Sequence, residues 1–285
     1  MFMRFIALLM LGFASPVPAI AQPDSTEQRS LGTMIEDDLT VFLRLTESGL
    51  IAPVHWHATD WRNAGTTALG TLALSTLDNN AYAAAHRSRT PTNERLEHIF
   101  EPYGRGITGA AVAGALYGAG IAFDNPWLRG TGLTMASALT IATTCQLTMK
   151  FLIGRARPYT RLGNGTFRPF STAADFLSLP SGHTVVAFTI SSVFAFRIKN
   201  SYASTALFTA AGITALSRIY SDNHWLSDVA FSAALATFIS AYVVSSYEHQ
   251  HHTDQTPIQP LRIRLGKAEL VPLPDRLLLR WSLDG

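Results

Sequence analysis

Five long segments without a charged side chain constrain what this chain can fold into. Each has 13 to 20 residues and is rich in Ala, Gly, Leu, Ser and Thr. Such lengths and compositions are typical of helices and too long for strands. The segments are residues 106–123, 130–149, 184–196, 200–217 and 229–247. They predict an all-α helical bundle in which small side chains let the helix backbones approach closely.

The composition excludes several other classes of protein. Only 15% of the 285 residues are charged, against about 25% in an average globular protein, and 47% are hydrophobic. A disordered chain or a charge-rich scaffold is therefore excluded. The net charge of +2 and the lack of a basic block predict no nucleic-acid partner. The single cysteine, Cys145, excludes an internal disulfide and a cysteine-based zinc site.

The N-terminus has the pattern of a secretory signal peptide. A positively charged start is followed by an apolar run at residues 5–13 and by the small residues Ala19 and Ala21. Cleavage after Ala21 would start the mature chain on the far side of the inner membrane. An uncleaved membrane anchor is the alternative, although the apolar run is short for a span.

The sequence after residue 21 divides into three regions by composition. A short amphipathic helix is expected over residues 34–47. Two alternating apolar runs near the C-terminus, residues 261–265 and 276–283, predict a small two-stranded β-like appendage. The regions are a polar and helical N-terminal region, a helical core and a C-terminal extension, at residues 22–104, 105–247 and 253–285.

The first of three clusters of polar groups follows the segment 130–149. It contains Lys150, Arg157 and Pro158, with Arg155 between them. Cations at the C-terminus of a helix are favoured by the helix dipole alone. The same cations could also bind an anion.

The second cluster, Pro180, Ser181, Gly182 and His183, opens the next helix. An ordinary helix start explains it, because Ser caps helices well and Pro is tolerated in a first turn. Free N–H groups at Ser181 and Gly182 would also form an anion site, with His183 within reach of the anion.

The third cluster contains Ser217, Arg218, His224 and Asp228. His224 and Asp228 are spaced i, i+4 and would share one face of a helix start. The carboxylate could then hold one ring N–H and raise the basicity of the other nitrogen, as a nucleophilic histidine requires. An exposed pair on a helix surface is the alternative.

Together the clusters contain the groups needed for phosphoryl transfer. Cations and backbone amides would neutralise a phosphoryl group and its transition state. One histidine can attack phosphorus while the other protonates the leaving oxygen. The cations supply the charge that magnesium gives elsewhere, so no metal or other cofactor is expected.

These clusters resemble the type 2 phosphatidic acid phosphatase superfamily, which also contains bacterial class A acid phosphatases and vanadium haloperoxidases. The family pattern is K-x6-R-P, then P-S-G-H, then S-R-x5-H-x3-D. All eleven fixed positions match in order. The resemblance covers roughly residues 105–247, and the regions on either side of them lie outside it.

The resemblance implies a helical bundle of this family's type and a phosphatase with a phosphohistidine intermediate. It implies that His224 is the nucleophile and that Asp228 orients and polarises it. His183 would be the general acid and later the base that activates water. The implied phosphate-binding residues are Lys150, Arg157, Ser181, Gly182 and Arg218.

The expected substrate is a lipid phosphate such as phosphatidate, undecaprenyl pyrophosphate or a lipid A phosphate, bound at a periplasm-facing site of the inner membrane. This orientation requires that residues 63–85 do not span, since six spans after a cleaved signal would put the site in the cytoplasm. A soluble periplasmic acid phosphatase acting on small phosphate esters is the alternative. A vanadate-dependent haloperoxidase and a non-enzymatic membrane protein are less favoured. The sequence does not determine the oligomeric state.

A second histidine cluster is a weaker candidate for a functional site. His55, His57 and Asp60 could bind a metal, but a polar cluster at a helix edge is favoured because no further ligand is present.

Overall fold

The computed structural model describes residues 30–88, 90–251, 263–265, 268–273 and 276–281. The expected signal peptide, residues 1–21, lies outside the described residues. A short unit extends to Asp38, and a large unit begins at Leu39. The helices of the described residues are α1 Leu31–Ile51, α2 Ala58–Ser75, α3 Asp78–Arg87, α4 Pro91–Phe100, α5 Gly106–Ala122, α6 Pro126–Ile153, α7 Gly182–Ile198, α8 Ser201–Tyr220 and α9 Leu226–His251. The strands are β1 Ile263–Leu265, β2 Ala268–Leu273 and β3 Arg276–Trp281.

The predicted all-α bundle is confirmed, and α5 to α9 occupy the five predicted segments. Local signals set their ends. The Asn125 side chain accepts a hydrogen bond from the N–H of Leu128 at 3.0 Å, and Pro126 occupies the first turn of α6. Gly154 ends α6 in the left-handed conformation, with φ of 60°. A Cβ there would clash with the carbonyl oxygen of Arg168, so glycine lets the following loop fold back over the helix end.

A sixth helix, α2, belongs to the same bundle and was not predicted there. It packs against α9. Its last carbonyl, that of Ser75, accepts a 2.9 Å hydrogen bond from Asn164 in the loop after α6. Asp78, just beyond its end, bonds to Ser227 at the start of α9. Helix α2 therefore ends where α9 begins, and the two run antiparallel.

Residues 63–85, which are expected not to span, are divided between α2, which ends at Ser75, and α3, which begins at Asp78. The absence of a span there stays a prediction, and α2 is not among the described helices that are long and apolar enough to cross a membrane. The six helices of the described bundle alternate in direction. The start of α2 and the end of α9 consequently lie at the end opposite to the end of α6.

The interior is filled by small residues and by hydroxyl groups that bond within their own helices. Ala138, Ala142 and Ala236 are fully buried. The hydroxyls of Thr134 and Ser240 donate to carbonyls one turn earlier, at 3.0 and 2.7 Å. The modest mean hydropathy of +0.16 thus arises from small and hydroxylated side chains that pack closely in the interior.

Charged and histidine side chains are restricted to the ends of the six helices. None lies in α5, and α6 has only Arg129 and Lys150. In the other four helices, all charged and histidine side chains lie within five residues of a helix end. Helices α6 and α9 are long and apolar enough to cross a membrane, and α5 and α7 are shorter apolar helices. Core helices of soluble proteins can have the same length and composition.

The C-terminal strands form an antiparallel sheet in the order β1-β2-β3. In its register, Ile263 pairs with Leu270 and Ala268 with Trp281. Two strands coincide with the predicted runs, but the predicted count of two is wrong. The missed strand, β2, contains Pro272, and proline within a run argues against a strand.

Candidate active site

The three polar clusters of the sequence meet at one end of the bundle. Helices α6 and α8 end there, and α7 and α9 begin there. The connection between α8 and α9 folds over the end of α8, since the N–H groups of Asn223 and His224 both donate to the carbonyl of Arg218, at 3.1 and 3.2 Å. The loop after α6 joins the same connection through a bond of 3.1 Å from the N–H of Tyr159 to the carbonyl of Asp222.

Lys150 is buried in the last turn of α6. Its Nζ donates to the carbonyl of Leu177, in the loop that precedes α7. Lys150 thereby links the first polar cluster to the second.

Arg157 has an unused hydrogen-bond donor. Its Nη1 donates to Oδ1 of Asn223 at 3.0 Å, and its guanidinium lies 5.9 Å from the centre of the Tyr159 ring. Its Nε is buried and has no partner among the described residues. A buried donor without an acceptor is costly, and an oxygen of a bound anion would satisfy it.

Arg218 is buried in the last turn of α8. Its Nε donates to the hydroxyl of Ser217 at 3.1 Å, and its Nη2 donates to Oε1 of Glu97 at 3.3 Å. Glu97 comes from α4, which the sequence analysis did not connect with the site. A carboxylate from a distant helix therefore pairs with one of the predicted phosphate-binding cations.

The start of α7 differs in part from the prediction. Ser181 is buried, and its N–H, expected to be free, donates to the hydroxyl of Ser232 at 2.7 Å. Its own hydroxyl accepts from Thr184 at 3.0 Å. Gly182 is the first helical residue, so its N–H has no acceptor within the helix. Of the two predicted amides, Gly182 is the one that can face an anion.

His183 follows in the first turn of α7 and is one-third exposed. Its Nε2 lies 3.1 Å from Oε1 of Glu101, so these atoms form a hydrogen bond. Arg105 also binds Glu101, with Nη2 at 2.6 Å from Oε2. Neither Glu101 nor Arg105 belongs to the three polar clusters of the sequence, so neither contact was expected.

His224 does not lie on a helix, as the spacing had suggested, but in the turn before α9. Its ring Nδ1 is 2.6 Å from the carbonyl oxygen of Ser178. Because a carbonyl oxygen can only accept, Nδ1 carries the hydrogen and Nε2 keeps its lone pair. The backbone therefore sets the tautomer that a nucleophilic nitrogen at Nε2 needs.

Asp228 does not bond directly to His224, which corrects the expected contact. Its Oδ2 is 3.9 Å from Nδ1 of His224. That oxygen instead accepts from the hydroxyl of Ser178 at 2.5 Å and from the N–H of Trp225 at 2.9 Å. Asp228 therefore acts on His224 through Ser178, whose carbonyl holds the ring.

A buried ion network lies behind these contacts. Arg155 binds Asp78 at 2.6 Å and Asp228 at 2.5 Å, and all three side chains are almost inaccessible to solvent. Ser227 also binds Asp78, through its N–H and through its hydroxyl, both at 2.8 Å. These bonds join α3, the loop after α6 and the start of α9.

The electrostatic setting keeps His224 neutral. Burial lowers the pKa of its imidazole well below the usual value, and the positive charges of Lys150 and Arg157 lower it further. At neutral pH the ring is therefore unprotonated. The lone pair of Nε2 is available among cations that would attract a phosphate.

The described part of the chain has no group of three or more His, Cys, Asp or Glu side chains that could hold a metal ion. His57 and Asp60 form a capping box at the start of α2, in which Asp60 accepts from the N–H of His57 at 2.9 Å. The cluster thus occupies a helix edge, as was favoured.

Comparisons with known proteins agree with the motif resemblance. Residues 131–251 match the model of the PAP2 superfamily. A curated protein of Porphyromonas gingivalis, "Lipid A 1-phosphatase", is 39% identical over 77 residues, which are 26% of this chain. The chain spans 17% of the length of that relative.

Two solved structures are similar to this one. The transmembrane PAP2 type phosphatidylglycerolphosphate phosphatase from Bacillus subtilis has a TM-score of 0.52 at 18% identity, over 76% of this chain and 98% of that one. At this identity the likeness concerns the fold alone. Aquifex aeolicus LpxE has a TM-score of 0.46 at 21% identity, over 59% of this chain and 94% of that one.

Replacement of Asp78 should destabilise the protein. In Asp78→Asn, Arg155 keeps a buried charge but loses one of its two carboxylates, and breaking a buried pair costs about 3–5 kcal/mol. We expect a thermal unfolding midpoint several degrees lower in detergent-purified protein. The exposed Glu94→Gln variant is the matched control. Equal midpoints for the two variants would contradict a stabilising role for the network.

The neutral state of His224 should also make stability depend on pH. Because its folded pKa is lowered, the stabilisation is complete above the unfolded pKa of about 6.5 and declines as the pH falls below it. We expect wild-type unfolding free energy to fall between pH 6.5 and 5, by at most about 1.4 kcal/mol per pH unit for this group. His224→Gln should show a shallower decline, whereas replacement of the exposed His98 should not change it.

Proposed function

We propose that this chain is a phosphatase that hydrolyses phosphate esters of lipids through a covalent phosphohistidine at His224. One observation supports the proposal above all others. A buried histidine with its Nε2 lone pair free stands in the field of Lys150, Arg157 and Arg218. Such an arrangement suits attack on a phosphorus atom whose oxygens are held by cations.

The proposed reaction has two steps. Nε2 of His224 attacks phosphorus while His183 gives a proton to the departing alkoxide, which leaves as an alcohol. A phosphohistidine remains. His183, now neutral, takes a proton from water, and the resulting hydroxide attacks phosphorus and breaks the bond to Nε2. Phosphate leaves, and His224 returns to its starting tautomer.

Each remaining residue of the site has a proposed part in this reaction. Lys150, Arg157 and Arg218 neutralise the phosphoryl oxygens in the ground state and more strongly in the transition state. The N–H of Gly182 adds a neutral donor, and buried Ser181 shapes the loop that presents it. Asp228 keeps Ser178 in position and thereby holds the Nδ1 hydrogen of His224.

A lipid substrate is supported by the surface of the bundle and by the relatives. The middle sections of all six helices lack charged groups, and their exposed side chains include Leu69, Leu72 and Leu147. Such a surface suits the hydrocarbon region of a bilayer. The Porphyromonas gingivalis relative is named for lipid A and the Bacillus subtilis one for phosphatidylglycerolphosphate. We propose the same class of substrate here, a phosphorylated lipid.

The proposed site faces the periplasm. Arg62, Arg129, Arg197 and Lys199 lie at the opposite end of the bundle, and such cations favour a cytoplasmic position. The arginines of residues 87–105 lie at the site end and oppose this orientation. With six alternating helices, a periplasmic site also requires that α2 begin in the cytoplasm. This requirement is incompatible with a cleaved signal peptide that exports the start of the mature chain.

Substitution of the two histidines tests the chemistry. We expect His224→Ala to abolish phosphate release, with a loss of at least about 10³-fold, because no nucleophile remains. His183→Ala should lose roughly 10²- to 10⁴-fold, as expected for a general acid. His98→Ala, on exposed α4, is the control. EDTA should have no effect, and full activity of His224→Ala would overturn the assignment.

A substrate panel separates the lipid phosphatase from a non-specific acid phosphatase. If the protein is a lipid phosphatase, we expect a higher kcat/KM for phosphatidate or a lipid A phosphate than for glycerol phosphate. Equal or better hydrolysis of the soluble ester would favour the soluble enzyme instead.

The orientation can be tested by labelling of single cysteines in intact cells. Cys145 is first replaced by serine, and one cysteine is then placed at Gly165 in the loop after α6 or at His249 near the end of α9. Gly165 has open space around it, so a side chain is tolerated there. A membrane-impermeant maleimide that crosses only the outer membrane should label the Gly165→Cys protein and spare the His249→Cys protein. The reverse pattern would place the site in the cytoplasm.

A further inference from the structure

A carboxylate outside the matched family region touches the proposed general acid. Oε1 of Glu101 lies 3.1 Å from Nε2 of His183. Glu101 belongs to the short 3-10 turn Glu101–Gly104 between α4 and α5, whereas the PAP2 match begins at residue 131. Similarity to the family therefore assigns no role to this residue.

We propose that Glu101, supported by Arg105, is a positioning residue that orients His183 and stabilises its protonated form. The proposal rests on the function proposed above, in which His183 protonates the leaving oxygen. Because the Nε2 hydrogen is held by Glu101, the proton that reaches the leaving group comes from Nδ1. His183 then stays neutral with its Nε2 hydrogen in place, and Nδ1 later accepts the proton of the attacking water.

The turn that carries Glu101 is fixed to three helices of the bundle. Tyr103 is buried, and its hydroxyl bonds to that of Ser191 in α7 at 2.7 Å. On the α5 side, Thr108 donates to the carbonyl of Pro102 at 2.6 Å, and on the α8 side, Thr214 donates to the carbonyl of Phe100 at 3.1 Å. A carboxylate on so constrained a turn can hold a ring in one orientation.

The turn also lies directly against His183. A Cβ added to Gly104 would be 2.7 Å from both the Cβ and the carbonyl oxygen of His183. Only a glycine allows this approach, because any side chain would have to displace the start of α7. The backbone at Gly104 and the carboxylate of Glu101 therefore contact the same histidine.

The charges around His183 explain why a carboxylate is needed. Arg218 faces it from α8, Arg105 and Glu101 face it from the turn region, and α7 has no other charged group near it. Burial disfavours a protonated imidazole here, and the neighbouring guanidinium of Arg218 disfavours it further. Glu101 offsets this repulsion with the opposite charge.

Arg105 keeps Glu101 ionised for this task. Although partial burial acts to raise the pKa of Glu101, its hydrogen bonds to Arg105 and His183 lower the pKa below its usual value. The Arg105 guanidinium contacts both carboxylate oxygens, Oε1 at 3.0 Å through Nε and Oε2 at 2.6 Å through Nη2. The carboxylate therefore keeps its negative charge to a lower pH than an unpaired glutamate would.

The first test compares two substrates that differ in leaving group, dioctanoyl phosphatidate and p-nitrophenyl phosphate. The alkyl ester needs a proton on its leaving oxygen, whereas the aryl ester needs it far less. We expect Glu101→Gln to lower kcat on the alkyl ester by about 10- to 100-fold and on the aryl ester much less. The alkaline limb of the pH profile should move to lower pH, because His183 would lose its proton more easily.

Two control variants show whether the effect depends on the negative charge at position 101. Glu101→Asp keeps the charge and should keep the alkaline limb near its wild-type position. Glu94→Gln, which changes an exposed acid of α4, should behave as wild type. Higher activity of Glu101→Gln would mean that Glu101 obstructs the site. Equal losses on both esters with an unchanged pH limb would mean a structural role, and either result would overturn the proposal.

A second measurement does not depend on activity. In protein with isotopically labelled histidine, the NMR titration of His183 can be identified by its loss in His183→Gln. Glu101→Gln should lower the pKa of His183 by about 1. An unchanged titration would overturn the proposal even if the enzyme is active. If the wild type hydrolyses neither ester, the proposed function fails, and the titration still decides whether Glu101 acts on His183.

Discussion

The network of Asp78, Arg155 and Asp228 is the interaction on which the arrangement of the site depends. Buried charges are stabilising only when their partners and hydrogen bonds are complete. Here Arg155 has a carboxylate at each of two nitrogens, and Ser227 and Ser178 satisfy further oxygens of the two acids. The order of contacts leads outward, from Arg155 to Asp228, from Asp228 to Ser178, and from Ser178 to His224. A displacement of the network would therefore reach His224, the proposed nucleophile, without any direct contact between Arg155 and His224.

The composition of the bundle explains why the site lies at its end. Helices built from Ala, Gly, Ser and Thr pack closely, and many of their hydroxyls, such as those of Thr134 and Ser240, bond to the backbone of their own helix. Such an interior offers no partners for charged groups, so charges are confined to the helix ends. Lys150 and Arg218 are each placed in the last turn of a helix, where the dipole favours cations, and Gly182 is placed in a first turn, where an amide is unused. An anion site results from the same rules that keep the middle of the bundle uncharged.

Much of this arrangement could be predicted, and the failures share a physical cause. Long uncharged segments indicate helices α5 to α9, and the three motifs contain the cations and both histidines that meet at the site. The partner of His224 is a backbone carbonyl, which no side-chain pattern reveals. Asp78 and Arg155 are 77 residues apart, and Glu101 and His183 are 82 apart. Local spacing carries no information on such pairs, and Asp78 in particular was taken for a break in an apolar stretch. A surplus of cations at one site, with too few acids nearby in sequence, is the signal that could have indicated distant carboxylates.

The three carboxylates that the sequence analysis missed differ in how permanent their pairs are. Asp78 is fully buried and is bonded by Arg155 and twice by Ser227, so a phosphate entering the site has no access to it. Glu97 and Glu101 are each about one-quarter exposed, and they pair with Arg218 and His183, the groups that are proposed to meet substrate. A doubly charged phosphate would compete with Glu97 for Arg218, because both bind the same guanidinium. Glu101 would be retained, since Arg105 holds it from the opposite side and the imidazole has a second nitrogen for the substrate. The region before residue 131 therefore supplies one buried acid of the ion network, one acid that a phosphate would displace and one acid that would stay in contact with the proposed general acid.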